Sequence, residues 1–369
     1  MPELANWVVE EAIRIQQIAA STFAEENRAA YVAQQFQQFG LADVRIDEAK
    51  NVFGKWIASG SDAPALMVMA HTDTVFAADT DLTIRRNGTI IFGSGLGDNS
   101  MGVAGMLGAL KWLREKDYQS PCDIWFVATS CEEGLGDLKG VRAAYETLQG
   151  KIGAVINLEG LALGHVYHAG IAVHRMHITA HADGGHSWLH FGRPSAVHGI
   201  MELGARITAI NPPTGPRTTF NIGQIEGGQG INVISTSAGL WLDLRSEEQK
   251  SLDRIREQVH KLIEASTKTG LTFRVEVVGN RPAGSIPVQH PLVQRALAAL
   301  DEIGMRGTLE TGSTDGNIPL SAGCPTVTIG ITRGGNAHRL DEFVETEHIP
   351  AGMRQMLLLL MATTDSLVS

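Results

Sequence analysis

The chain has 369 residues, 43% of them hydrophobic and 19% charged, with a formal net charge of −10 and a pI near 5.7. That is enough chain for two domains, an ordinary globular composition, and no run of Lys and Arg able to follow a phosphate backbone, so no nucleic-acid partner is expected. No apolar run reaches the roughly 18 residues of a membrane span, and Met1-Pro2-Glu3-Leu4 opens without the basic and apolar regions of a signal peptide; the expectation is a cytoplasmic protein with no membrane partner.

Apolar side chains at Val8, Val9, Ala12 and Ile13, and again at Ala29, Val32, Ala33 and Phe36, predict amphipathic helices over 4–20 and 25–39, the second stopped by Gly40. Strands follow at 44–46, 52–57 and 65–70, a short pair near 82–86 and 90–92, and a helix near 101–114. Leu66-Met67-Val68-Met69-Ala70 and Ile124-Trp125-Phe126-Val127-Ala128 are unbroken apolar runs, as expected of parallel strands buried on both faces. After a helix near 138–148, Ala154-Val155-Ile156-Asn157 reads as a further strand. These three strands run into polar, acidic turns: His71-Thr72-Asp73, Glu132-Glu133-Gly134 and Glu159. The carboxyl edge of such a sheet is where open α/β folds hold their ligands.

Between 169 and 283 the order becomes strand (172–181), helix (196–210), strand (218–226), strand (238–245), helix (247–268), strand (271–278). This βαββαβ series predicts an inserted ferredoxin-like domain with its own core. Helix 291–303, strand 326–329, a Gly-rich loop and helix 347–366 return the chain to the first domain. The expected fold is therefore α/β, a mixed sheet sandwiched by helices and built from 1–168 and 284–369, interrupted by the smaller domain. Cys122, Cys131 and Cys324 show no C-x-x-C spacing, so buried free thiols are expected.

The candidate chemistry lies at the strand ends. His71 and Asp73 share a face, so the carboxylate can support the imidazole. Gly97-Asp98-Asn99 opens the helix at 101. Glu132 and Glu133 are adjacent, and on an extended turn their side chains diverge, leaving one for a metal and one for a water. His338 sits in Gly334-Gly335-Asn336-Ala337-His338, where glycines allow close backbone approach. Two histidines and several carboxylates gathered on one edge would repel without cations, and two divalent metals answer that problem. The sequence carries no H-E-x-x-H, no P-loop lysine and no G-x-S-x-G elbow, and Gly93-Ser94-Gly95-Leu96-Gly97 misses the dinucleotide spacing.

Taken together these motifs resemble the dimetal zinc exopeptidase and amidohydrolase family that includes glutamate carboxypeptidase, peptidase T and aminoacylase. The resemblance implies two zinc ions, with manganese or cobalt as alternatives: Asp98 bridging, His71 and Glu159 on one ion, Glu133 and His338 on the other. Glu132 becomes the general acid/base, Asp73 the support of His71, and Glu342 matches the acid beyond His338. The resemblance also implies a lid histidine that polarises the scissile carbonyl, matched by His186, a lid arginine for a substrate carboxylate, matched by Arg245, and a lid asparagine, matched by Asn232. On the residues alone, His186 could instead cap a turn and Arg245 could pair with Asp243. Phe76 stands where many relatives have proline, His198 where many have a lid asparagine, and Asn99 where many have a second acid; a cis peptide between Asp98 and Asn99 is implied. The implied substrate is a small peptide or N-acyl amino acid, and Glu159 in place of aspartate favours a carboxypeptidase or deacylase. An aminopeptidase of the peptidase T type and a catalytically silent relative remain as alternatives, with a homodimer through the lid.

Overall fold

The computed structural model describes residues 1–58, 60 and 62–368. The chain divides into two compact units, Met1–Gly170 with Gly284–Ser369, and Ile171–Ala283; the expected breaks stood after 168 and 283.

In the first unit the main sheet runs in the order Ala42–Ile46, Val52–Trp56, Ile124–Thr129, Ala65–His71, Ile152–Leu158, Thr326–Ile329, His165–Gly170, Gly284–Ser285, with Thr308–Gly312 also paired to His165–Gly170. The four strands from Ile124–Thr129 to Thr326–Ile329 are mutually parallel, and antiparallel strands flank them on both sides. Their alternation explains the unbroken apolar runs. Leu66, Val68 and Ala70 join one core with Val8, Leu107 and Met353 from three helices. Met67 and Met69 point the other way, into a second core with Val141 and Ala144. Both faces are covered, so neither can carry a polar residue at low cost.

The helices are Pro2–Gln16, Glu26–Gln38, Gly102–Glu115, Lys139–Leu148, Pro291–Asp301, Asn317–Ser321 and Ile349–Leu367. The first ends four residues before the expected limit, because the chain must turn back at Ile18–Ala20 to meet the end of the central strand. Leu96–Met101 is a helical stretch broken at Asp98 and Asn99, and the peptide between these two is cis. A second small sheet, Arg333–Gly335, Phe343–Glu345, Ile90–Phe92 and Arg85–Asn87 in that order, brings the His338 turn next to the Asp98 turn.

The second unit is a four-stranded antiparallel sheet, Thr218–Gly227, Ser237–Ser246, Ala172–Ala182, Leu271–Arg281, with helices Ala196–Thr208 and Gln249–Ser266. By chain position the strand order is second, third, first, fourth, the split βαβ arrangement of ferredoxin-like domains. Met176, Ile178, Leu240 and Leu242 from the sheet pack on Ile200, Leu203, Ile255 and Val259 from the helices. Among the described residues no helix is long and apolar enough to cross a membrane.

Candidate active site

The parallel strands place their ends side by side. His71 is the last residue of its strand and pairs in register with Thr129, and the ladder continues for one residue through Thr72 N–H to the Thr129 carbonyl at 2.8 Å. Glu159 follows Leu158, with its N–H on the Ile329 carbonyl at 2.9 Å. Asp98 arrives from the broken helical stretch, whose shape is held by Glu342: its Oε1 accepts from the amides of Gly97 at 2.6 Å and Asp98 at 3.0 Å, and its Oε2 from Gly95 at 3.3 Å. Glu342 is fully buried, and burial pushes its carboxyl up to about 7.

These elements bring His71, Asp73, Asp98, Glu132, Glu133, Glu159 and His338 together. His71 Nε2 lies 3.1 Å from Asp98 Oδ1 and 3.6 Å from Glu159 Oε2. His338 Nε2 lies 3.0 Å from Asp98 Oδ2 and 3.1 Å from Glu133 Oε1. Two donor groups result, His71 with Asp98 and Glu159, and Asp98 with Glu133 and His338; within each, the ligand atoms lie within 4.8 Å of one another, and Asp98 belongs to both. His71, Glu132 and Glu133 satisfy the same limit, so the adjacent glutamates diverge less than an extended turn suggests.

The support of His71 differs in detail from the expectation. Its Nδ1 is 3.1 Å from the backbone carbonyl of Asp73 and 3.5 Å from the carboxylate Oδ1. The Asp73 carboxylate is mainly engaged elsewhere, accepting from the amides of Glu132 at 2.9 Å and Glu133 at 3.0 Å and from Thr22 Oγ1 at 2.9 Å. Asp73 thus ties the His71 turn to the turn that carries both glutamates.

The electrostatics mark a cluster short of positive charge. Burial alone would lower the His71 pKa, but Glu159, Asp73 and Asp98 raise it well above its ordinary value. Hydrogen bonds to Asp98 and Glu133 carry His338 up to about 10. Burial would raise Asp98, yet the two imidazoles pull it below the usual carboxylate range, while burial keeps Glu159 raised. Massed carboxylates that force both imidazoles toward their cationic forms make a donor set of oxygens and nitrogens that fits divalent cations.

A cavity of about 500 Å³ opens beside this cluster, with Asp98 and Glu159 on one side and Leu161, Tyr167, Thr311 and Thr314 among its other walls. Beneath the cluster is Asp315, fully buried, whose Oδ2 accepts from Thr129 Oγ1 and whose carboxyl is pushed up to about 7 by burial. Thr314-Asp315-Gly316 reads in sequence as a turn, and nothing in its pattern signals the burial.

His186, Asn232 and Arg245 belong to the second unit. His186 caps a turn, its Nδ1 accepting from Trp188 N–H at 3.2 Å, and its neighbour Ser187 donates to the Asn232 carbonyl at 3.0 Å. Arg245 Nε pairs with Asp243 at 2.7 Å, and Asp243 also takes Arg175 at 3.1 Å. Both local roles foreseen as alternatives are therefore present. His198 is exposed on its helix.

Residues 67–362 match the model of the peptidase family M20/M25/M40. The chain belongs to this family. As a member it is an amide-bond hydrolase of the metallopeptidase and amidohydrolase kind. Among its relatives, a succinyl-diaminopimelate desuccinylase of Thioalkalivibrio sulfidiphilus is 25% identical over 338 residues, covering 85% of this chain and 86% of the relative. A Staphylococcus aureus tripeptidase structure superposes with a TM-score of 0.82 at 20% identity, covering 98% of this chain and 99% of the other. A Bacillus subtilis structure described as a dinuclear metal-binding peptidase of the M20 family superposes with a TM-score of 0.73 at 13% identity, covering 99% of both chains. The likeness to these two structures covers 98% and 99% of this chain, so one fold runs through both of its units.

Proposed function

We propose that the chain is a dimetal hydrolase cleaving the amide bond of a small peptide or an N-acyl amino acid, closer to the carboxypeptidases and deacylases of the family than to its aminopeptidases. The observation that carries this reading is the pair of donor groups sharing Asp98. His71, Asp98 and Glu159 would hold one ion, and Asp98, Glu133 and His338 the other, with zinc as the proposed metal and manganese or cobalt compatible with the same donors. Such ions, when bound, acidify water and draw charge from a scissile carbonyl.

The protein's own groups do the rest. Glu132, buried beside the donor groups, takes a proton from the attacking water and passes it to the departing nitrogen. Asp73 orients it by gripping its amide and that of Glu133. His186 as donor to the carbonyl oxygen, Arg245 as holder of a substrate carboxylate and Asn232 as a further polar contact complete the proposal, as does a homodimer through the second unit. The preference for carboxypeptidase or deacylase chemistry rests on Glu159 standing where aminopeptidases of the family tend to carry aspartate.

The test is Glu132→Ala assayed on dipeptides and N-acetyl amino acids, with and without chelator, alongside metal content. The expected outcome is full metal content with nearly all turnover lost. Turnover close to wild type in that variant would overturn the mechanism.

A further inference from the structure

Where the strand Ile124–Thr129 ends, four consecutive amides are each taken by a side chain from elsewhere in the first unit. Ser130 N–H donates to Asn51 Oδ1 at 3.1 Å, Cys131 N–H to Glu25 Oε1 at 3.1 Å, Glu132 N–H to Asp73 Oδ1 at 2.9 Å and Glu133 N–H to Asp73 Oδ2 at 3.0 Å. Asn51, Glu25 and Asp73 are all fully buried. The turn bearing the two glutamates is therefore set by side-chain acceptors. Asn51 and Glu25 both precede residue 67, where the match to the family begins.

Cys131 is the pivot of that turn. Its φ of 52° lies in the left-handed region, which is unfavourable for a non-glycine residue and persists only where surroundings over-determine it. Glu25 supplies the constraint by holding this residue at two points, the amide at 3.1 Å and Sγ at 3.3 Å, both on Oε1. The thiol and the amide of Cys131 thus donate to the same carboxylate oxygen. Glu25 is itself anchored: its Oε1 accepts from Phe23 N–H at 3.0 Å, and its Oε2 lies 3.5 Å from Lys50 Nζ. On the other side, a Cβ on Gly140 would stand 2.1 Å from the Ser130 carbonyl, so the turn is pressed against the start of the helix Lys139–Leu148.

We propose that Glu25 is a positioning residue for hydrolysis: its buried carboxylate fixes the bend at Cys131 that aims Glu132 and Glu133 into the site. The inference rests on the reading of Glu132 as general acid/base and adds a residue that touches neither substrate nor metal.

The test compares Glu25→Ala, Glu25→Gln and Glu25→Asp with wild type, each loaded with zinc, on Leu-Gly and N-acetyl-leucine, together with calorimetric zinc titration. Losing a support of this kind typically costs about 10–100-fold, so Glu25→Ala is expected to lose that much in kcat with KM moved less than about threefold, and to bind its weaker zinc about tenfold less tightly. Glu25→Gln keeps an oxygen for the Cys131 amide and is expected to recover most of both. A folded Glu25→Ala protein with kcat and zinc affinity within about twofold of wild type overturns the proposal, even if it melts earlier, and so does Glu25→Gln as impaired as Glu25→Ala. If the alanine variant does not fold, Glu25→Asp decides, since the shorter chain withdraws the carboxylate from Cys131; wild-type kcat there overturns the proposal. If neither compound is turned over, zinc affinity decides alone, and unchanged affinity overturns it. Glu132→Ala run beside these separates the two readings: turnover surviving in Glu132→Ala sinks the general acid/base assignment, whereas turnover lost there but kept in Glu25→Ala sinks only the role of Glu25.

Discussion

Replacing Gly160 by alanine tests whether the Asp98 and Glu159 turns are packed as one unit. A Cβ there would lie 2.1 Å from the Gly97 carbonyl oxygen and 2.7 Å from Met101 Cβ, with Gly102 N at 3.1 Å. Two of the three atoms are backbone and cannot rotate away, so one strand end must shift by about an ångström, at the upper end of the roughly 1–3 kcal/mol cost of overpacking. The Gly160 N–H bond to Asn99 Oδ1, 2.8 Å and buried, would be strained in the same movement, at about 1 kcal/mol more. The sum is roughly 3–4 kcal/mol, which for a body of this size lowers the melting temperature by roughly 6–16 °C. The displaced groups are next in sequence to Asp98 and Glu159, so zinc affinity at the proposed site of His71, Asp98 and Glu159 should weaken together with stability. Scanning calorimetry of the metal-free variant and a zinc titration read the two effects. A melt within about 2 °C of wild type, or a lowered melt with unchanged zinc affinity, would refute the reasoning.

Zinc at about 100 times its dissociation constant should stabilise the protein by roughly 2.7 kcal/mol per site, and chelator should remove that gain; a melting temperature independent of zinc would contradict the proposed sites. In the second unit, burial lowers the His174 pKa below 6.5, with Arg256 and His260 acting in the same direction against Asp253 and the Asn280 hydrogen bond. The folded state then binds the proton less readily than the unfolded chain, so stability is full above 6.5 and falls as pH drops through and below that value. His174→Gln should flatten this acid-side loss when melts at about pH 5 and about pH 8 are compared, and an unchanged slope would count against it.

The parts of the site legible in the sequence are those where chemistry overrides local structure. His71, Glu132 with Glu133, and Glu159 each interrupt or end an apolar run, and a strand buried on both faces has no structural use for them. Two strands of the same sheet have the opposite character. His165–Gly170 and Thr308–Gly312 carry no apolar alternation, and their extended form is held by pairing with each other in parallel and, for the first, with neighbouring strands. Register of that kind comes from the partner strand, which local pattern does not contain.

Glu25, Asn51 and Asp315 were hidden for a different reason. Glu25 stands just before an amphipathic helix, where an acid is ordinary because it favours the positive end of the helix dipole, and Asn51 sits in a short link between strands. Each has a bland local explanation that remains true in the folded protein. Their second task appears only when the helix Glu26–Gln38 and the strand Val52–Trp56 bring them against the end of Ile124–Thr129, a contact across 79 and 106 residues of chain. Such supports can be made of common residues because what they need is an oxygen at the right place in a dry interior, and burial strengthens that hydrogen bond as much as it strengthens the cost of losing it. A site whose reacting groups stand out from the sequence can therefore owe its geometry to residues that do not.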